Sequence, residues 1–287
     1  MYVPSERNFL SVIKGANGVR GLPEPLFEFA SELKRGQLET NGKEVNLPIN
    51  GVNFKYEEGS DTSYIIGPGF KQNLLIASSG FQSLVPLFLV TRSLAQIIHD
   101  GSKLNASNMS VDQSVQMINE ITNIMTSDQL NNDEKLQKVE EIQSRFQNKS
   151  FINIVEEPEQ NLFPSSQHLM LNSLLEFNNM NVGNKLIITT HSPYLINFIS
   201  LAVKANDLKG KVTTDELKNR LNAIVPIASS INPEELVIYE LYETDGSIKK
   251  LGNFEGIPVD KNFLNQSLAE GNRLFDSLLE KEQLLRV

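Results

Sequence analysis

Cysteine is absent from the 287 residues, which excludes disulfide bonds and thiolate metal sites. Histidine occurs only three times, as His99, His168 and His191, so there is little room for a histidine-rich metal site. The lack of cysteine fits a cytoplasmic protein, because disulfides belong mainly to oxidising compartments.

Positive charge is scarce, and the net charge is −9. This balance argues against a general polyanion-binding surface, which needs clustered Lys and Arg. Long apolar runs near 18 residues are missing, so no transmembrane helix and no membrane role is expected. The start has no basic end followed by an apolar core, so no signal peptide is visible. With 40% hydrophobic and 21% charged residues, the composition is ordinary for a globular protein.

Local patterns indicate alternating helices and strands. Residues 8–36 are predicted to form helical pieces that stop at Gly36. Asn50-Gly51 lies between two short alternating runs and Asp245-Gly246 between residues 236–242 and 247–251, and both predict β-hairpins. From Asp260 onward the spacing of the leucines predicts a helix.

Residues 101–149 carry two amphipathic helical stripes separated by Asn131-Asn132-Asp133. They predict a helical hairpin inserted between two parts of the fold. The hairpin is either a lever for a partner protein or nucleic acid, or a helical decoration packed on the lobe. The second interpretation is favoured, because amphipathic stripes usually face a core.

The stretch Phe151–Pro164 contains the strongest chemical signal. Its apolar run ends in two adjacent carboxylates, Glu156 and Glu157, and then in Pro158. Burying a carboxylate is costly unless a cation or hydrogen bonds compensate. A metal-phosphate site at the carboxyl end of a parallel strand would provide that compensation. The alternative is a strand that ends in a solvated acidic loop.

Two more segments carry similar signals. A second apolar run, Lys185–Thr190, ends in His191, and the alternative role for this histidine is a helix cap before Ser192-Pro193. Leu74–Gln82 leads into a helical stripe and places Ser78, Ser79 and Gly80 at a helix start, where phosphate is attracted. The alternative there is a simple serine cap.

In this order the three segments resemble an ATP-binding-cassette-type P-loop ATPase with an AAA domain, and more narrowly the OLD-type, RecF-like and chromosome-maintenance branch. Ala77–Gln82 is similar to the signature loop, Ile152–Glu157 to the Walker B strand, and Pro158–Leu162 to the D-loop. His191 corresponds to the switch histidine. Tyr2–Arg7 resembles a stretch that such proteins carry between Walker A and the signature loop. The implied fold is α/β: an incomplete P-loop NTPase with a parallel-sheet core, a helical lobe with the hairpin insert, and peripheral β-hairpins.

The resemblance implies roles for individual residues, with ATP and Mg²⁺ as cofactors. Glu156 would bind Mg²⁺, Glu157 would be the general base and His191 would contact the γ-phosphate. Ser78, Ser79, Gly80, Gln82 and Asn161 would contact ATP held by a second protomer in a head-to-tail dimer. Glu159 is expected to be a solvated loop acid.

One family motif is missing. No Gly-x-x-x-x-Gly-Lys-Ser/Thr phosphate loop occurs in the sequence. The nearest glycine cluster, Gly15–Gly21, is interpreted as a turn. The chain is therefore expected to be a single truncated ATPase domain over 1–287, whose phosphate loop comes from upstream sequence or another chain.

Three functions follow. The favoured one is an ATPase portion that acts in DNA maintenance or phage defence, with nucleic acid or a repair or defence protein as a further partner. The alternative is a non-catalytic dimerisation module. A nuclease of the Toprim type is disfavoured, because no strand ends in Glu with a later Asp-x-Asp.

Overall fold

A computed structural model describes residues 1–285 except 14, 16–18, 20, 101–110, 128–129 and 147. The helices are α1 (Phe9–Val12), α2 (Glu24–Glu39), α3 (Ser79–Asp100), α4 (Val111–Met125), α5 (Asn132–Phe146), α6 (Pro164–Asn179), α7 (Pro193–Lys209), α8 (Asp215–Asn222) and α9 (Phe263–Leu285). The strands are β1 (Tyr2–Val3), β2 (Glu44–Asn46), β3 (Asn53–Glu57), β4 (Thr62–Gly67), β5 (Phe70–Asn73), β6 (Ile152–Glu156), β7 (Lys185–Thr189), β8 (Tyr239–Leu241), β9 (Ile248–Lys250), β10 (Asn253–Phe254) and β11 (Ile257–Pro258).

The centre of the fold is a parallel sheet with the order β1-β6-β7. One face is covered: Val3 and Val155, which pair in register, are fully buried in a core that includes α3 and α6. Side chains alternate between the two faces of a strand. Ile152 and Ile187 therefore lie on the other face, where they are 48% and 49% exposed. A mixed α/β fold with a parallel sheet is confirmed, and it is compatible with a P-loop NTPase.

The longest core element is α3. Most of its middle is buried, because apolar residues occupy nearly every side of the helix between Leu84 and Val90. By length and composition alone α3 could cross a membrane, although its unbroken apolar run covers only residues 84–90 and ends at Thr91 and Arg92. Its most apolar window is 67% buried inside the molecule, which is typical of a core helix.

The predicted helix end at Gly36 was wrong, because α2 continues to Glu39. Gly36 is buried, and a Cβ at this position would lie 3.2 Å from the backbone oxygen of Leu89 in α3. The glycine therefore permits a close approach of two helices, although glycine is a poor helix former.

Strands β2 to β5 form a separate antiparallel sheet in sequence order. The turn between β2 and β3 is as predicted, since Asn50 and Gly51 have φ angles of 57° and 59°. The second predicted hairpin joins β8 and β9, with Gly246 at φ 68°.

The segment 101–149 contains α4 and α5, which pack against each other. Arg145 of α5 donates a hydrogen bond of 2.7 Å to Glu120 of α4. The first ten residues of this segment lie outside the described part of the chain, as does most of the glycine cluster 15–21, so its predicted turn is not described.

Candidate functional site

The carboxyl ends of β6 and β7 bring the predicted acidic pair and the histidine together. Glu156 pairs with Thr189 in the sheet, and the amide of Glu157 donates a 2.9 Å hydrogen bond to the Thr189 carbonyl. The Glu157 carboxylate lies 3.7 Å from Nε2 of His191. The Glu157 side chain is 38% exposed and that of His191 is 86% exposed. The pair is thus open to solvent at the sheet edge and not enclosed in the core.

Glu156 is held by the start of the chain. Its carboxylate accepts a 3.3 Å hydrogen bond from the amide of Ser5 and lies near the Tyr2 hydroxyl. Desolvation, and after it the nearby Glu156 carboxylate, raise the pKa of Tyr2 to about 12. Tyr2 therefore stays a neutral donor at every physiological pH. Sequence reasoning assigned no role to Tyr2, because a single tyrosine carries no pattern.

The signature loop lies at the start of α3. Ser78 and Ser79 are exposed, and the Ser78 carbonyl accepts the first helical hydrogen bond, from the Gln82 amide at 3.1 Å. A Cβ on Gly80 would lie 3.0 Å from the carbonyl oxygen of Asn161. Such a contact is tighter than nine in ten real Cβ contacts, so a larger residue at this position would push the loop and the D-loop apart by a few tenths of an ångström.

Gln82 braces the loop from inside. Its amide nitrogen donates to the carbonyls of Leu74 and Leu75 at 3.2 and 3.1 Å. The backbone carbonyl of Gln82 lacks its usual helical partner, because Pro86, four residues further along, has no N–H. Ser11 fills that gap with a hydrogen bond of 2.8 Å. The amide hydrogens of Gln82 are thus used within the loop, so contact with a nucleotide would require them to be released.

Asn161 joins the D-loop to α3. Its backbone is left-handed, with φ 60°, a conformation that asparagine tolerates better than most residues. Its side-chain amide donates a 2.9 Å hydrogen bond to the hydroxyl of Ser83. Asn161 and the signature loop are therefore brought together within this chain.

Glu159 was expected to be a solvated loop acid, and the structure corrects this. One of its carboxylate oxygens accepts hydrogen bonds from the Thr190 hydroxyl at 2.7 Å and from the His191 amide at 2.8 Å. The Thr190 hydroxyl in turn accepts from the Ser192 amide, and the Ser192 hydroxyl donates to Gln167. Glu159 thus fixes the backbone that carries His191. Sequence reasoning could not find this contact, because it joins the loop after β6 to the loop after β7 and leaves no pattern in either segment.

Arg7 is the second residue that sequence reasoning missed. It is completely buried, and its guanidinium donates hydrogen bonds to four carbonyls, those of Pro4, Ser83, Glu156 and Glu157. Burial lowers its pKa to about 10, an effect opposed by the nearby glutamates, so it remains charged at neutral pH. The stretch Tyr2–Arg7 carried a resemblance, yet nothing in it predicted which groups the arginine would bind.

The donor set agrees with Mg²⁺ bound together with a nucleotide. Among the described residues, no group of three or more His, Cys, Asp or Glu side chains could hold a metal ion by itself. Mg²⁺ usually takes one or two protein carboxylates and completes its shell with water and substrate phosphates. Glu156, at the carboxyl end of β6, fits that requirement with its one carboxylate.

Comparison with known proteins supports a nucleotide-binding chain. A protein-family model described as AAA ATPase domain matches residues 21–196, more than half of the chain. The matched range contains Ser78–Gln82, Glu156, Glu157, Asn161 and His191. It does not extend to Tyr2 and Arg7. No curated protein and no solved structure matches the chain significantly.

Proposed function

Because this chain belongs to the AAA ATPase domain family, we propose that it forms the Walker B and signature half of an ATP-hydrolysing site. The proposal places it in the OLD, RecF and chromosome-maintenance branch. The observation that carries it is the meeting of Glu157 and His191, 3.7 Å apart at the ends of adjacent parallel strands. Ligands of open α/β sheets bind at this carboxyl edge.

Each residue has a task in this site. Glu157 accepts the proton of the attacking water as general base. Glu156, held by the Ser5 amide, is the residue that would bind Mg²⁺. His191 donates a hydrogen bond to the γ-phosphate, and Glu159 keeps the histidine in place. Mg²⁺ supplies charge neutralisation on the phosphates when it is bound.

The sheet supports the proposal that the phosphate loop comes from outside this sequence. Parallel sheets are normally covered by helices on both faces. In the described part of the chain, β7 has no strand on its second edge. The face with Ile152, Ile187 and Glu156 is partly open. A strand–loop–helix segment placed there would cover this face and bring its loop to the end of the sheet, beside Glu156 and Glu157.

The exposed signature loop supports the proposal of a second protomer. Ser78 and Ser79 are exposed at a helix start and have no task in the site formed by Glu157. We propose that they, with Gly80, Gln82 and Asn161, contact ATP on another copy in a head-to-tail dimer. Cytoplasmic action in DNA maintenance or phage defence, with nucleic acid or a repair or defence protein as partner, is the setting proposed for this cycle.

Calorimetric titration with Mg-ATP tests the missing loop. The 287-residue chain should show no micromolar binding, because it has no phosphate loop. A phosphate-loop segment from an AAA ATPase domain, either mixed with the chain or joined before Met1, should restore binding. Micromolar binding by the unmodified chain would show that the account of the loop is wrong.

Glutamate variants of the joined protein test the chemistry. Glu157→Gln should lower kcat by about 100-fold or more while Mg-ATP binding persists, because general bases contribute that much. Glu176→Gln is the matched control, since Glu176 is an exposed residue of α6. Equal activity of the two variants would remove Glu157 from the proposed mechanism.

A non-catalytic dimerisation module is the second candidate, and the absent phosphate loop favours it for this chain. Light scattering separates the two. A module of this kind should dimerise without nucleotide and equally well in Glu157→Gln. The ATPase half-site should dimerise only when the phosphate-loop segment and Mg-ATP are both present.

A further inference from the structure

The buried guanidinium of Arg7 lies where three functional segments meet. Its exposure is 0%, and among the described residues no carboxylate forms a salt bridge with it. Backbone carbonyls take the place of a carboxylate: Glu156 and Glu157 accept from Nη1 and Nη2, both at 2.7 Å. Since burying a charge is costly, these hydrogen bonds compensate a large desolvation penalty.

Glu157 is the residue most affected by this contact. Its φ is 43°, a left-handed conformation that costs a residue other than glycine on the order of 1 kcal/mol or more. Its amide is held by the Thr189 carbonyl, and its own carbonyl accepts from Arg7 at 2.7 Å and from the Gln160 amide at 3.0 Å. With both peptide groups held, the backbone sets the direction in which the Cα–Cβ bond of Glu157 leaves the chain.

The other side of Arg7 reaches the helix that carries the signature loop. Nε donates a 3.1 Å hydrogen bond to the carbonyl of Ser83 in α3. The Ser83 hydroxyl accepts the side-chain amide of Asn161 in the D-loop. A displacement of α3 would therefore be transmitted to the backbone of Glu157 through one rigid, planar group.

We propose that Arg7 is a positioning residue that locks the conformation of Glu157 and couples it to the signature helix. The catalytic consequence of this role of Arg7 rests on the proposed ATPase function. As a structural statement the positioning role stands by itself, because every hydrogen bond that carries it joins residues of this chain. It would make the geometry of the general base depend on the position of the loop that serves the second protomer.

Arg7→Lys and Ser11→Ala form a matched pair. Lysine keeps the positive charge, but its single ammonium group cannot span carbonyls that the guanidinium fork reaches together. Ser11 donates to the neighbouring carbonyl of Gln82 and makes no described hydrogen bond to Glu156 or Glu157. Ser11→Ala therefore removes a neighbouring hydrogen bond to α3 while the link from Ser83 through Arg7 to Glu157 stays intact, whereas Arg7→Lys breaks that link.

Hydrogen exchange of the 287-residue chain is the first measurement. Arg7→Lys should accelerate exchange at the Glu157 amide and in residues 79–83, whereas Ser11→Ala should accelerate it only in α3. The inference is overturned if both variants give the same pattern. It is also overturned if Arg7→Lys raises exchange throughout the core, because that result shows a merely structural role.

Kinetics of the protein joined to a phosphate-loop segment are the second measurement. Arg7→Lys should lower kcat by about tenfold or more with little change in KM, as expected when a base is misplaced. Ser11→Ala should keep kcat within about twofold of the parent. Equal losses of kcat would overturn the coupling. If the parent hydrolyses no ATP, the proposed function fails, and the exchange pattern alone decides the role of Arg7.

Discussion

At the scale of single residues, the acidic pair is governed by neighbours that are distant in sequence. Glu156 is not left to solvent, since the Ser5 amide donates to its carboxylate and the Tyr2 hydroxyl lies near it. Neutral tyrosine is needed for this contact. Because the pKa of Tyr2 is raised from 10.0 to about 12, its contribution to stability is complete below pH 10. It is lost as the pH rises from 10 through about 12.

Tyr2→Phe should therefore lower the free energy of unfolding at pH 7 by about 1 kcal/mol, the size of one hydrogen bond at a partly exposed site. It should also flatten the loss of stability between pH 10 and 12. Urea unfolding at pH 7, 9 and 11 measures both effects. Tyr239→Phe is the control, because Tyr239 is an exposed residue of β8. An unchanged pH profile in Tyr2→Phe would contradict the proposed contact with Glu156.

At the scale of elements, the crossing of α2 over α3 depends on a missing side chain. Gly36 lies inside α2, and the Leu89 carbonyl of α3 leaves only 3.2 Å for a Cβ. Gly271 in α9 is also inside a helix, but nothing lies within 4 Å of its Cβ position. Glycine therefore allows α2 to pack closely on α3, whereas in α9 it only lowers the stability of the helix.

Replacement of the two glycines should change stability in opposite directions. Gly36→Val should destabilise the protein by about 1–3 kcal/mol, because the neighbouring atom belongs to a helix backbone and cannot yield easily. Gly271→Ala should stabilise α9 by roughly 0.5–1 kcal/mol through helix propensity. Urea midpoints test the first change and amide exchange along α9 the second. A stable Gly36→Val protein would show that the helices do not approach this closely.

At the scale of the whole molecule, the two faces of the parallel sheet differ. Val155 faces a core formed with α3 and α6 and is fully buried. Ile187, on the opposite face, is half exposed. Apolar residues on an uncovered face of a parallel sheet indicate a surface that another segment covers.

Threonine substitutions should distinguish the buried face of the parallel sheet from the half-exposed one. Val155→Thr should cost about 1–3 kcal/mol, because it buries a hydroxyl without a partner. Ile187→Thr should cost the isolated chain less than about 1 kcal/mol, as is common for exposed positions. The same Ile187→Thr change should weaken capture of a separate phosphate-loop segment, measured by calorimetry. Equal destabilisation by both substitutions would mean that the second face is already covered.

Local patterns in the sequence determined much of the architecture. The β6 strand with its terminal acids, the helix that begins at Ser79, the Asn50-Gly51 turn and the run ending in His191 were all predictable. Apolar periodicity and turn chemistry act over a few residues, so they can be recognised without a fold. The AAA-type family was also recognisable from the order of these motifs, and the family comparison confirms it.

Only the tertiary structure decided what holds those motifs in place. Arg7 meets Glu157 across 150 residues of sequence, and Glu159 meets His191 across 32. Gly36 was predicted to end a helix, but the structure shows that it lies inside α2 and packs against α3. Hydrogen bonds to backbone carbonyls and close helix approaches leave no periodic trace, because they depend on which distant segment folding brings near.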